Sequence, residues 1–219
     1  MTDLLSRAVP GVQGLKPYVP GKPVEELERE LGISNIIKLA SNENPLGCSP
    51  AAKLAAEAAL GEIERYPDGN GYALRQRLSS HHDIESSRIV LGNGSNDVLE
   101  LIARCFLAPG RNAVFSEYAF AVYPLASLAA GAELRIAAAL GEQSKMPYGH
   151  DLDALLAQVD DQTGVVFIAN PNNPTGTWLE ASTIEAFLTQ LPDQVVAVLD
   201  EAYFEYMQPK LRPDSRRLL

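Results

Sequence analysis

Asn170-Pro-Asn-Asn-Pro-Thr-Gly-Thr177, together with Val195-Val-Ala-Val-Leu-Asp-Glu-Ala-Tyr203 further along, decides the fold of this chain. The first stretch follows the apolar run 165–169, so it reads as a loop leaving a buried strand. Pro171 and Pro174 push the residues before them to extended geometry, which makes the loop rigid and holds the Asn172 and Asn173 amides in place. A plain polar turn between strand and helix has the same composition. The second stretch brings five apolar residues up to one carboxylate, Asp200. Such a run predicts a central, buried strand. A buried carboxylate without a partner is costly, so Asp200 calls for a cation, or else caps the next loop. Residues 182–191 between the two stretches predict a helix that ends before Pro192. Parallel strands joined by one crossover are neighbours roughly two times in three. That would set Asn173 beside Asp200.

Outward from this unit the same alternation continues. Helical periodicity covers 24–31, 50–60, 72–82, 96–106, 120–130 and 152–159. Short apolar runs at 36–40, 88–91, 112–116, 133–137, 165–169 and 195–199 read as strands. A further helix start follows Pro213. Strands alternating with helices specify an α/β fold, a mostly parallel sheet between two layers of helices. The first 47 residues stand apart. They are rich in Pro and Gly and read as an arm.

Sites on parallel sheets form outside the C-terminal strand ends. Two more of these ends carry unusual residues. Gly92-Asn-Gly-Ser-Asn-Asp97 opens a helix whose free N–H groups and dipole suit an anion, although a glycine turn with an N-cap reads the same way. Asp97 would repel an anion if it pointed inward, so it should cap or face away. Tyr118, Phe120 and Tyr123 follow the strand 112–116 and offer either an aromatic wall or core.

Composition excludes several classes. The net charge of −10 argues against nucleic acid and anionic membranes as partners. No window resembles a signal peptide or a membrane span, which makes cytoplasmic the default expectation. Cys48 and Cys105 form no framework, and Cys105 falls on an apolar helix stripe as expected buried filler. His81 and His82 sit on a polar helix end, expected in solvent. No metal-binding spacing and no Gly-x-Ser-x-Gly elbow occurs.

Ser41-Asn-Glu-Asn-Pro45, Arg65-Tyr-Pro-Asp68, Gly92-Asn-Gly-Ser95, Asn170 to Gly176 and Asp200-Glu-Ala-Tyr203 occur in this order. The set closely resembles the fold-type I pyridoxal-phosphate (PLP) aminotransferases, and within them the histidinol-phosphate aminotransferases. Leu15-Lys-Pro-Tyr-Val-Pro-Gly-Lys-Pro23 is similar to that subgroup's N-terminal arm. The resemblance implies that residues 1–47 form an arm and part of a small domain, and 48–219 the N-terminal part of a PLP-binding large domain. It implies that Asp200 pairs with the pyridinium nitrogen, and that Asn173 and Tyr203 bond the ring's 3′-oxygen. Phe120 would stack on the ring. Gly94, Ser95 and Asn96 would cradle the phosphate. Tyr66 would reach the cofactor of a partner subunit in a homodimer, and Tyr18 and Asn44 would face the substrate. The implied reaction exchanges an amino group between L-histidinol phosphate and 2-oxoglutarate, giving glutamate, in histidine biosynthesis. An aromatic-amino-acid aminotransferase or a phosphothreonine decarboxylase would share the frame. A non-catalytic binding module is the reading from another class. The family's Schiff-base lysine lies beyond its Asp-Glu-Ala-Tyr element, in a Ser-Lys context. None of Lys16, Lys22, Lys38, Lys53, Lys145 or Lys210 has that context, so the expectation is a catalytically incomplete piece of a longer enzyme.

Overall fold

The computed structural model describes residues 4–18 and 21–218. Val19 and Pro20 of the arm motif, residues 1–3 and residue 219 lie outside them. The chain divides into two compact units, Met1–Lys16 with Leu78–Leu219, and Pro17–Arg77. Neither boundary coincides with the shift in composition near residue 47.

In chain order the helices α1 (Pro10–Gln13), α2 (Val24–Leu31), α3 (Pro50–Ala59) and α4 (Tyr72–His82) precede the sheet. Then follow α5 (Gly94–Phe106), β1 (Asn112–Ser116), α6 (Val122–Ala129), β2 (Glu133–Ala137), α7 (Leu152–Ala157), β3 (Thr163–Ala169), α8 (Ala181–Leu188) and β4 (Val196–Asp200). Short 3-10 turns fill 204–206, 209–211 and 215–218.

The four strands pair in the order β2-β1-β3-β4, all parallel. Side chains along a strand alternate between faces, and the core divides accordingly. Ala113, Phe115, Val165, Phe167 and Ala169 pack with Leu99 and Ala103 of α5 and Tyr123 and Ala126 of α6. Val114, Ala137, Val166 and Ile168 pack instead with Leu155 of α7 and Phe187 of α8. Helices thus cover both faces, giving the expected three layers. Each fully buried Phe or Leu contributes about 1.5–3 kcal/mol. In β3 a Cβ on Gly164 would stand 2.5 Å from the Phe106 carbonyl oxygen, so glycine is what lets α5 end against the sheet.

At the N-terminal strand ends the buried polar groups are mutually satisfied. Thr163 Oγ1 donates to Asn112 Oδ1 at 2.8 Å, and Asn112 Nδ2 donates to Asp160 at 2.7 Å. That end is a structural clasp.

Four sequence expectations need correction. Residues 88–91 are not a strand. Ile89 has an extended backbone, but no described strand pairs with it and Val90 stays exposed. An extended segment becomes a strand only when a ladder takes up its N–H and C=O groups. The same holds for 36–40, where Ile37 and Leu39 are exposed. β4 is the outermost of the four described strands, not a central one; β1 and β3, buried at every position, are central. Its apolar run serves partial packing on both faces, since Val196 and Val198 touch one core and Leu199 the other. Cys105 is also exposed rather than buried. It lies roughly two-fifths of a turn off the inward line of Leu99 and Ala103 on α5.

Candidate active site

The C-terminal ends of β3 and β4, the start of α5 and the turn after β1 enclose one cavity within the first unit. Ser95, Phe120, Asn173, Asp200 and Tyr203 line it, together with Ala169, Pro171 and Ala202. The β3–β4 register explains the meeting, because Ala169 lies opposite Asp200. The loop after β3 therefore rises directly beside the carboxylate.

Asp200 accepts two hydrogen bonds. Tyr123 Oη–H donates to Oδ2 at 2.7 Å, and the Ala202 N–H donates to Oδ1 at 3.1 Å. Neither donor is cationic, so the negative charge is presented to the cavity unneutralised by either. Burial and the adjacent carboxylate push the Tyr123 phenol far above its ordinary value, which keeps it a donor.

The asparagine loop divides its labour. Asn170, fully buried, accepts from the Leu179 N–H at 2.7 Å. Asn172, also buried, donates to the Tyr118 carbonyl and to Thr175 Oγ1, each at 2.8 Å. Both brace the loop and are structural. Asn173 is left to face the cavity. Both X-Pro bonds of the loop, Asn170–Pro171 and Asn173–Pro174, are cis.

At the start of α5, Gly94 has φ +75°, a conformation that disfavours a Cβ. The Asn93 N–H donates to Asp97 Oδ2 at 3.0 Å. Asp97 therefore caps the helix and its carboxylate turns back to the loop, as charge repulsion required. Ser95 reaches the cavity; Gly94 and Asn96 flank it in the chain and are exposed.

The three aromatic residues after β1 separate. Phe120 lines the cavity. Tyr118 meets Tyr148 edge-on. Tyr123 is buried and stacks on Phe167, rings 4.8 Å apart and 7° from parallel. The aromatic cluster after the strand 112–116 pointed to this residue as wall or core, but its hydroxyl partner lies 77 residues away in sequence.

Tyr18, Asn44 and Tyr66 belong to the second unit. Asn44 spends its amide on its own turn, accepting from Leu46 and donating to Gly47. Tyr66 is 100% exposed. None of the six lysines lines the cavity.

His150 carried no sequence signal, yet it is only 5% exposed and bridges β3 to the strand-like pair Ala139–His150. Its Nε2–H donates to the carbonyl of Ala169, a residue lining the cavity, at 2.9 Å, and Nδ1 is buried with no partner. Burial lowers its pKa, and the bond to Ala169 opposes this only in part. A histidine depressed on folding takes up its proton first in the unfolded chain. Stability is therefore full above the unfolded value of about 6.5 and is lost as pH falls below it. Urea midpoints of wild type should thus drop more between pH 7.5 and 5.5 than those of His150→Gln. Equal drops would refute the assignment.

Residues 34–218 match the family model of aminotransferase class I and II. The chain belongs to this family. It is 58% identical to histidinol-phosphate aminotransferase 2 of Pseudomonas aeruginosa over 98% of its own length, and 55% identical to histidinol-phosphate aminotransferase 2 of Methylococcus capsulatus over 97%. It spans 57% of the length of each. Among solved structures it is similar to histidinol-phosphate aminotransferase from Sinorhizobium meliloti in complex with pyridoxal-5′-phosphate, with a TM-score of 0.84 and 30% identity over 96% of this chain and 55% of that one. A Thermus thermophilus aspartate aminotransferase shares the fold at a TM-score of 0.70 and 20% identity, over 87% of this chain and 52% of that one.

Proposed function

We propose that this aminotransferase chain binds PLP, and that the whole protein transfers the amino group of L-histidinol phosphate to 2-oxoglutarate in histidine biosynthesis. The observation that carries the reading is Asp200, an unneutralised carboxylate facing one cavity together with an aromatic face, an amide and a helix N-terminus. Those features match a planar cation with a hydroxyl at one edge and a phosphate at the other. The names of the relatives supply the substrate.

When bound, PLP supplies an electron sink for charge developing at the substrate Cα. Asp200 holds the proton on the ring nitrogen and balances its charge. Asn173 and Tyr203 donate to the 3′-oxygen and fix the ring's rotation. Phe120 covers one ring face and keeps water from it. Ser95 and the Asn96 N–H at the start of α5 hold the phosphate, while Gly94, whose own N–H donates to the Gly92 carbonyl at 2.9 Å, shapes the turn that presents them. The Schiff-base lysine of the proposed enzyme lies outside residues 1–219.

The proposed enzyme is a cytoplasmic homodimer. Among the described residues no helix is long and apolar enough to cross a membrane. In Pro17–Arg77 no described residue is buried, and Leu39, Leu46, Leu54, Ile63 and Tyr66 are all exposed. Apolar surface on that scale favours a second copy as its cover, and Tyr66 is free to reach a partner's phosphate. Tyr18 and Asn44 would face the substrate.

An amine-donor screen of the whole protein tests the assignment. Histidinol phosphate should exceed phenylalanine and tyrosine in kcat/KM by at least about tenfold, the return on one well-placed charged contact. A preference for the amino acids would shift the reading to an aromatic aminotransferase.

A further inference from the structure

We propose that Tyr123 is a positioning residue for Asp200, locking the plane of its carboxylate so that the free lone pairs point into the cavity. The inference rests on the PLP-site reading above. Three observations carry it. The phenol donates to Oδ2 at 2.7 Å. The ring is 1% exposed and held flat against Phe167, which is itself 1% exposed, on the central strand β3. Phe120, a wall of the cavity, meets the same ring in a T-shaped contact, centroids 5.9 Å apart and planes at 87°.

The geometry matters because Asp200 sits on the outermost described strand. A carboxylate at a strand end can turn about its χ2 at little cost, since that torsion is broad. The Ala202 N–H restrains one oxygen from within the same turn. Tyr123 restrains the other from a different layer of the fold. A hydrogen bond from a rigid, buried donor transmits the order of the core to a group at the edge. At the opposite end of the sheet the buried pair Asn112 and Thr163 closes on itself. The bond of buried Tyr123 leads instead to a side chain that lines the cavity.

Tyr123→Phe in the whole protein separates the hydroxyl from the ring. The stack on Phe167 remains and the donor is lost. The apo-protein is titrated with PLP, following the circular dichroism of the bound cofactor above 300 nm, and melted without PLP. The expected result is a cooperative melt close to wild type, a PLP affinity lower by about tenfold, as for one hydrogen bond to a charged group, and a reduced cofactor dichroism. A merely structural tyrosine would lower the melting temperature and leave affinity and dichroism unchanged in the folded protein. That outcome overturns the proposal while Asn173→Ala, which should also weaken PLP, continues to support the site. A wild-type protein that binds no PLP overturns the site reading, and this inference with it.

Discussion

Asp200→Ala in the whole protein, loaded with PLP, should lower transamination by about a hundred- to a thousandfold while the protein stays folded. Preorganised electrostatic groups at a reacting centre are each worth on the order of a hundred- to a thousandfold, and Asp200 is the one carboxylate among the side chains lining the cavity. The folding cost has a separate origin. Removing the carboxylate leaves the Tyr123 hydroxyl buried without its acceptor, a loss of about 1–3 kcal/mol. A domain with about 5–15 kcal/mol of stability survives that. Asp200→Asn sharpens the comparison. It can still accept from Tyr123 and keeps the shape, so its melt should stay near wild type, yet it carries no charge and its turnover should fall almost as far. Steady-state rates at saturating PLP, beside thermal melts, make the measurement. Near-normal turnover in either variant would remove the pyridinium assignment.

The reach of the sequence follows a physical divide. β1, β2, β3 and β4 were readable within a residue or two because each is a short apolar run bounded by turn formers, and α2 and α4 were matched at both ends. The meeting of Asn173 with Asp200 was also readable, because one parallel crossover sets the two strand ends side by side. What failed was information held by a partner. Residues 88–91 have the composition of a strand, but only a neighbour can make them one. Residues 195–199 look central because apolar side chains serve an outer strand packed on both faces as well as an inner one. The stripe on α5 was visible, but whether Cys105 lay on it depended on where the helix faced the sheet. Asn172 and Asn173 are chemically identical neighbours, and only the three-dimensional loop assigns bracing to one and the cavity to the other. Tyr123 was visible only as one of three aromatics after β1, because its bond to Asp200 spans 77 residues, and no local pattern announced His150.

Phe167→Ala should be the most destabilising single change in the sheet, and its effect should extend into the cavity. Phe167 lies in the middle of central strand β3, 1% exposed, between α5 and α6 on one side of the sheet. Truncating a buried Phe costs about 3–5 kcal/mol, the lost transfer energy plus the cavity left behind. With a urea slope of about 1–3 kcal/mol/M, the midpoint should fall by at least about 1 M. Leu155→Ala is the matched control. Leu155 is fully buried on the opposite face, in α7, and its truncation costs a comparable 2–5 kcal/mol or so. The two variants should differ at the site. Phe167→Ala removes the surface on which the Tyr123 ring lies, so the phenol loses its fixed aim at Asp200 and PLP affinity should drop in the folded protein. Leu155→Ala touches none of those atoms and should bind PLP as wild type does. Equal losses of affinity would mean that the site senses global stability, and that the stack from β3 through Tyr123 to Asp200 carries no particular order outward.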